Sequence, residues 1–332
     1  MIKNALAAFL IILNPLLIYA QDNGFEPHGN AFATIFANFH YGVYGAARNN
    51  TAFELARGYI GYEHYLSPEF YAKVNVDIGS PDDLSPRSRM RRYAYFKNAY
   101  LRYQKSSLTI DFGLISLKQN NVQERIWERR YLMKSLADEY NLGSSADLGV
   151  NFNFAFNDFI DADFTIMNGE GYNSLQMDNI FKYSLGTTIK LPENFTSRVF
   201  FDFTRNKIYE TTLLLFVSYD YNKKWNLAGE YIIRNNEGWN SRHNRNALSV
   251  YGKYNITTKY QLFARYDVVR SDVLESESVP WNLSDDGSAL VAGIQYNPIK
   301  NIKMALNYHD WCPWAANSTC RGLIYLNLEV KL

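Results

Sequence analysis

The segment Asp147–Phe156 of the chain reads DLGVNFNFAF. Apolar side chains recur at every second position from Leu148, and Asp147, Asn151 and Asn153 take alternate positions on the other side. A period of two is typical of a β-strand, because successive side chains of a strand point to opposite faces of the sheet. The segment therefore predicts a strand with one apolar and one polar face.

The same alternation recurs along the whole chain, for example over Phe70–Gly79, Leu108–Leu114 and Ile324–Leu332. We count about sixteen such segments, each bounded by turn residues. They begin near residues 31, 52, 70, 93, 107, 146, 160, 180, 197, 212, 225, 247, 260, 288, 302 and 322. The pattern predicts an all-β fold of antiparallel strands.

The connections between these segments alternate in length. Short ones, such as Asn157–Asp158 and Asn222–Lys224, take turns with longer ones, such as Gln119–Ser145 and Asp272–Gly287. This asymmetry and rings near the strand ends favour a transmembrane up-and-down barrel over a secreted β-sandwich, which shows the same period of two. About 16 strands enclose a water-filled lumen. The rings are Tyr41, Tyr62, Tyr103, Phe156, Tyr219, Tyr254, Tyr266 and Tyr296.

The charge balance excludes one class of partner. The chain of 332 residues has 34 Lys and Arg against 33 Asp and Glu, and nucleic-acid binding needs a basic surplus. Residues 1–20 carry only Lys3 as a charge, and their apolar stretch is too short to span a membrane. We therefore expect residues 1–20 to be a signal peptide and residues 21–332 to form a barrel in the bacterial outer membrane.

The polar faces of the predicted strands supply candidates for the lining of the lumen. Basic and acidic side chains that face one space create a field that selects solutes by charge. The alternative interpretation is that these charges pair across strands. The candidates are Lys73, Arg102, Asp111, Asp147, Asp161, Asp163, Lys182, Arg198, Arg265 and Lys303.

The third long connection, Gln119–Ser145, lacks the period of two. Val122, Ile126 and Met133 recur at helical spacing, so we expect part of it to be helical. In a wide barrel such a segment can fold inward and constrict the channel; the alternative is an external cap with solvated charges. The basic candidates for contacts with anions in the constriction are Arg125, Arg129, Arg130 and Lys134.

The stretch Gly113–Phe154, GLISLKQNNVQERIWERRYLMKSLADEYNLGSSADLGVNFNF, resembles the core of the phosphate-selective porin O and P family in its Bacteroidetes-type branch. The resemblance extends more weakly over most of the remaining chain. It implies a 16-stranded outer-membrane barrel with a constricting third loop, often assembled as a homotrimer. It also implies anion selectivity through arginines and lysines of the pore.

Two cysteines and five histidines complete the chemically notable residues. Cys312 and Cys320 lie across a short loop, which in an exported protein predicts a disulfide, and too few similar ligands lie near them for a zinc site. His40 and His309 fall on polar faces of strands that meet when the barrel closes. No motif fixes a nucleophile beside them, so we expect no enzyme activity.

These patterns together predict a porin, surrounded by outer-membrane lipid and without a cofactor. Small hydrophilic solutes, including phosphate-like anions, would diffuse passively through its lumen. The alternative is a barrel that serves as a scaffold or accessory subunit of a larger outer-membrane assembly, with its lumen plugged by the third connection.

Overall fold

A computed structural model describes residues 24–79, 93–192, 194–275 and 277–332. The expected signal peptide, residues 1–20, lies outside these ranges. The described strands form one closed antiparallel sheet. They are β1 His28–Gly45, β2 Thr51–Tyr65, β3 Phe70–Gly79, β4 Tyr93–Lys105, β5 Leu108–Ser116, β6 Ala146–Ala155, β7 Ile160–Met167, β8 Lys182–Leu191, β9 Phe195–Arg205, β10 Tyr209–Tyr221, β11 Trp225–Asn235, β12 Arg245–Asn255, β13 Tyr260–Ser271, β14 Gly287–Ile299, β15 Ile302–Pro313 and β16 Arg321–Lys331.

The sheet is an up-and-down barrel, because each strand pairs with its neighbours in the sequence and β1 pairs with β16. The closing pair runs from Thr34 opposite Lys331 to Gly45 opposite Arg321. Closure gives every strand a hydrogen-bonding neighbour on both sides, which the hydrocarbon of a bilayer requires. The predicted fold class, a 16-stranded antiparallel barrel, is confirmed.

The outer face of the barrel is apolar and the inner face is polar, which is the reverse of a soluble protein. Apolar side chains such as Phe53, Phe112 and Val74 are exposed on the outside. Polar side chains such as Asn151 and Asp163 are buried inside. An apolar outer band around a polar interior is the pattern of a barrel that faces lipid. Val74 is one of the apolar alternate positions of Phe70–Gly79, and its exposure on the outside agrees with the lipid-facing side expected for those positions.

The connection between β5 and β6 contains the helices α1 (Lys118–Trp127) and α2 (Leu136–Glu139), which confirms the predicted helical content. Glu128 caps the C-terminus of α1; its backbone is left-handed (φ 60°) and its N–H donates to the carbonyl oxygen of Glu124 (2.9 Å). A 3₁₀ turn covers Glu237–Trp239. None of the helices in the described ranges is both long and apolar enough to cross a membrane.

One predicted connection is wrong in length. The link between β9 and β10 comprises residues 206–208 alone, although the alternation of short and long connections predicted a longer loop at this end. Both strands extend further than the apolar pattern indicated, and Arg205 pairs directly with Tyr209. The N–H of Asn206 donates to the carbonyl oxygen of Ile208 (3.3 Å), which closes the turn.

Candidate functional site: the loop-lined lumen

The connection between β5 and β6, residues 117–145, folds into the barrel; we call it the inner loop. Its Trp127 is 2% exposed and packs edge-on against Tyr251 and Phe263, with ring centroids 5.4 and 6.1 Å away. Leu136 and Ala137 are fully buried in the same cluster. The predicted inward fold is present, and it rests on apolar packing.

The wall beneath the inner loop is apolar on its inner face, unlike the rest of the interior. This explains why Leu213 to Val217 is apolar at every position: Leu214 and Phe216 are buried under the loop, while Leu215 and Val217 face outward. The apolar wall comprises Phe200, Leu214, Phe216, Ala228, Ile232, Ala247, Tyr251, Phe263, Val269, Ala289, Val291 and Ala305.

Basic side chains of the wall hold the backbone of the inner loop. Arg265, which is buried in an ion pair with Asp267 (2.7 Å), also donates to a loop carbonyl. Lys303 likewise combines an ion pair to Glu329 (3.1 Å) with a loop contact. The contacts to main-chain oxygens are Arg265 to Lys134 (2.6 Å), Arg234 and Arg245 to Asn141 (3.1 and 3.3 Å), and Lys303 to Glu128 (2.9 Å).

Arg129 does not occupy the position expected of an anion contact. It is 1% exposed and donates to the carbonyl oxygen of Trp127 (3.0 Å) and to Oε1 of Gln261 (2.8 Å). Its guanidinium also lies over the ring of Phe263, 4.7 Å from the centroid. The expectation of a solute contact at Arg129 therefore does not fit the structure, because the side chain is used to pack the loop on the wall.

Arg130 faces the lumen but is neutralised by two carboxylates. It pairs with Glu124 and with Asp138 (2.8 Å). Burial raises the pKa of Asp138, but the positive charges of Arg130 and Lys134 outweigh this effect and hold that pKa below its ordinary value. Lys134 is half-buried. Arg125 is exposed on α1 and has no ion-pair partner among the described residues.

Most of the other candidate lining charges pair with a neighbour. Arg198 of β9 reaches across β8 at Gly186, whose missing side chain leaves the space, to make two bonds to Asp163 (2.8 and 3.1 Å). Asp147 accepts from the N–H groups of Leu148 and Gly169 (both 2.7 Å). The remaining pairs are Lys73 with Glu63 (2.6 Å), Arg102 with Asp111 (2.6 Å), Lys182 with Glu210 (3.4 Å) and Lys190 with Asp161 (3.0 Å).

A polar cavity of about 230 Å³ remains between α1 and the wall formed by β1 to β4. Lys97 is the basic residue in it that lacks a carboxylate partner within the described ranges. Its Nζ donates to Oγ of Ser145 and lies over the ring of Tyr172, 3.7 Å from the centroid. The other lining residues include Thr34, Tyr59, Asn75, Asn98, Ser116, Asn121, Glu124 and Arg130. We call this space the constriction cavity.

Lys97 reaches the interior because β4 contains a bulge. Asn75 of β3 pairs with Asn98, whereas the next residue, Val76, pairs with Phe96, so Lys97 is left without an opposite residue. Lys97 and Asn98 are consequently both buried inside. Strict alternation from Asn98 assigns Lys97 to the lipid face. For this reason the sequence did not predict that Lys97 lines the lumen. The available signal was its charge, since a lysine in mid-strand on the lipid face is costly.

Comparison with solved structures identifies the architecture. OmpF of Salmonella typhi, solved as a complex with daunomycin, superimposes with a TM-score of 0.67 at 11% sequence identity, covering 92% of this chain and 97% of that chain. The chain has the porin fold. The outer-membrane channel DcaP of Acinetobacter baumannii is similar, with a TM-score of 0.67, 13% identity, and coverage of 92% of this chain and 97% of that chain.

An anion-selective porin from Comamonas acidovorans also matches, with a TM-score of 0.67, 9% identity, and coverage of 92% of this chain and all (100%) of that chain. No protein-family model matches the sequence. A search of curated proteins likewise finds no match. A closed barrel of this kind with an apolar outer band is the architecture of bacterial outer-membrane proteins. The porin-fold chain is therefore located in that membrane.

The remaining candidates lie at the long-loop end of the barrel. Cys312 and Cys320 form a disulfide across the loop between β15 and β16. His40 and His309 both contact Tyr325, with ring centroids 5.5 and 6.1 Å from it. In the described ranges, no group of three or more His, Cys, Asp or Glu residues is arranged to hold a metal ion.

Proposed function

We propose that the chain is an outer-membrane porin through which small hydrophilic solutes diffuse passively. The observation that carries this proposal is the polar constriction cavity, about 230 Å³, between the inner loop and the β1–β4 wall of a porin-fold barrel. Water and small solutes require such a polar-lined space, and the width of the space sets the size limit.

The charges of the constriction cavity support a modest preference for anions, including phosphate-like ones. Arg130 is balanced by Glu124 and Asp138, so its charge contributes little to the field. Lys97 has no carboxylate partner of this kind among the described residues. Its ammonium group donates to the hydroxyl of Ser145 and lies over the ring of Tyr172. A lysine at a narrow point, with no carboxylate in ion-pair contact in the described part of the chain, favours anions over cations.

Planar-bilayer recording of the purified chain tests the proposal. We expect ohmic conductance steps and a reversal potential of anion-selective sign in a KCl gradient. Lys97→Met should reduce the anion-to-cation permeability ratio about fivefold, because a unit charge near 4 Å from an ion in water is worth about 1 kcal/mol. Lys300→Met, at an exposed short turn, is the matched control and should leave the ratio unchanged.

The second candidate function is a plugged scaffold in a larger assembly. The inner loop also reaches the wall opposite its apolar contacts: Nε of Arg130 donates to the hydroxyl of Tyr59 (3.4 Å), and Tyr131 contacts Phe36 with centroids 6.3 Å apart. A loop held on both walls favours a blocked lumen. A folded barrel that stays silent in bilayers would support this function and overturn the porin proposal, whereas conductance that is identical in Lys97→Met would overturn the anion preference alone.

We also propose, from the family resemblance, that the barrel assembles as a homotrimer in lipid. One neighbouring structure, OmpT of Vibrio cholerae, is described as a trimer form, with a TM-score of 0.60 and 10% identity over 93% of this chain and 100% of that chain. Chemical cross-linking in native membranes should give a species of three times the monomer mass; a monomer alone would contradict the assembly.

A further inference from the structure

Two cavities lie side by side at the long-loop end of the barrel, outside the constriction cavity. The first, about 320 Å³, lies between the inner loop and the wall of β12 and β14 to β16. The second, about 360 Å³, lies against β1, β2, β15 and β16. His309, Trp311 and Arg321 line both cavities, so the two form one continuous surface. Each volume is at the low end for a small-molecule site.

Aromatic rings line both cavities. Trp311 is partly exposed and contacts Tyr140 of the inner loop, with centroids 5.7 Å apart and ring planes at 33°. Tyr325 lines the second cavity beside His40 and His309. A pyranose ring has an apolar face of C–H groups, which packs on an aromatic ring as other apolar surfaces do.

Carboxylates outnumber guanidinium groups around these rings. Glu139 and Asp285 line the first cavity, and Glu54 and Asp310 line the second. The guanidinium of Arg245 is already held by Glu237 (2.6 and 2.8 Å). These carboxylates disfavour a phosphate or another strongly charged anion, since like charges repel, but they accept hydrogen bonds from hydroxyl groups.

Two polar groups remain available for a ligand, a guanidinium that donates and an imidazole nitrogen that accepts. Arg321 is exposed, borders both cavities and has no ion-pair partner within the described part of the chain. His40 is 5% exposed, and its Nε2 has no hydrogen-bond partner in the described structure. Nδ1 of His40 donates to Oδ1 of Asn38 (3.4 Å), which leaves Nε2 of that ring as the acceptor. A buried nitrogen without a partner at the edge of a cavity is satisfied when a ligand hydroxyl binds there. Acceptors and a donor together match hydroxyl groups, which both donate and accept.

We propose that these two cavities bind a neutral disaccharide at the entrance of the porin, with one pyranose ring in each cavity and Trp311 and Arg321 shared between the rings. This site rests on the proposed porin function, because it would supply solute to the constriction cavity. The chemistry of this site differs from that of the constriction cavity: the entrance recognises uncharged rings, whereas the constriction cavity contains the ammonium group of Lys97.

Equilibrium binding to the full chain in detergent micelles tests the proposal independently of conductance. Isothermal titration calorimetry with maltose, cellobiose and lactose should detect binding of at least one disaccharide, and inorganic phosphate and glucuronate should bind more weakly than that sugar. Arg321→Gln removes a charged donor and should weaken sugar binding about tenfold. Trp311→Ala should weaken it further through the loss of ring stacking.

Trp225→Ala is the matched control, because Trp225 lies on the outer face and is 48% exposed there. It should bind the sugar as wild type does, and heat-modifiable migration on a gel confirms that each variant is folded. The proposal is overturned if none of the three disaccharides binds wild type, if Arg321→Gln binds equally well, or if phosphate or glucuronate binds more tightly. If the barrel binds the sugar but gives no conductance in bilayers, the porin function is wrong and the proposed sugar site is retained.

Discussion

Replacing Trp127 with Ala should detach the inner loop from the wall without unfolding the barrel. Trp127 is 2% exposed, packs against Tyr251 and Phe263, and donates from Nε1 to the carbonyl oxygen of Met133 (2.9 Å). None of these contacts belongs to the hydrogen-bonded pairing of the sixteen strands. The loop can therefore open locally at a lower free energy than that of global unfolding.

The size of the effect follows from the burial of the ring. Truncation of a buried Trp to Ala costs about 3–5 kcal/mol, including the space left behind. Since about 1.4 kcal/mol corresponds to a factor of ten in an equilibrium constant, the open fraction of the loop should rise at least about a hundredfold. The lost hydrogen bond leaves the carbonyl of Met133 unpaired, which adds to this cost.

Hydrogen exchange measured by mass spectrometry reads the open fraction directly. Amides of α1, residues 118–127, should exchange about a hundredfold faster in Trp127→Ala, while amides of β14 and β15 keep their protection. Trp225→Ala, which removes an equally large ring from the lipid face, should leave α1 unchanged. If α1 exchanges at the wild-type rate in Trp127→Ala, or if both variants accelerate it equally, then the apolar packing does not hold the loop.

Further expectations concern the barrel, the external loop and pH. Val74→Arg places a charge on the lipid face and should cost about 2–4 kcal/mol or prevent assembly, as read by urea unfolding in lipid vesicles; normal stability would mean that the facing is inverted. Cys312→Ser should lower stability by about 2–3 kcal/mol relative to the oxidised wild type and match the reduced wild type, measured by thermal unfolding. The pKa of Asp138 is held below its ordinary value in the folded loop, so its ion pair with Arg130 contributes stability above the ordinary carboxyl pKa, and this stability is lost as the pH falls through the lowered pKa; the protection factors of inner-loop amides, corrected for the intrinsic exchange rate, should fall as the pH is lowered below about 4 in wild type, and less in Asp138→Asn.

The alternation in the sequence was sufficient to predict the strands and the facing of their apolar positions, and its interruption predicted helical content in the connection between β5 and β6. These features are local. The face of a side chain follows from its parity within the strand, and the helix in residues 118–127 follows from a change of period. The length of the link between β9 and β10 was missed because polar residues continue the strand there, and backbone pairing, which the residue pattern does not report, decides where a strand ends.

The sequence by itself determined that the chain forms strands with one apolar and one polar face, because that property repeats every two residues. Only the tertiary structure decided which charges form ion pairs. Arg130 is neutralised by carboxylates that the folding of the inner loop brings to it, Arg198 is neutralised by Asp163 of β7, and Lys97 turns inward at a bulge defined by the pairing of β4 with β3. Register and loop docking fix the distances between charged groups, and the energy between two charges depends on that distance as well as on their signs.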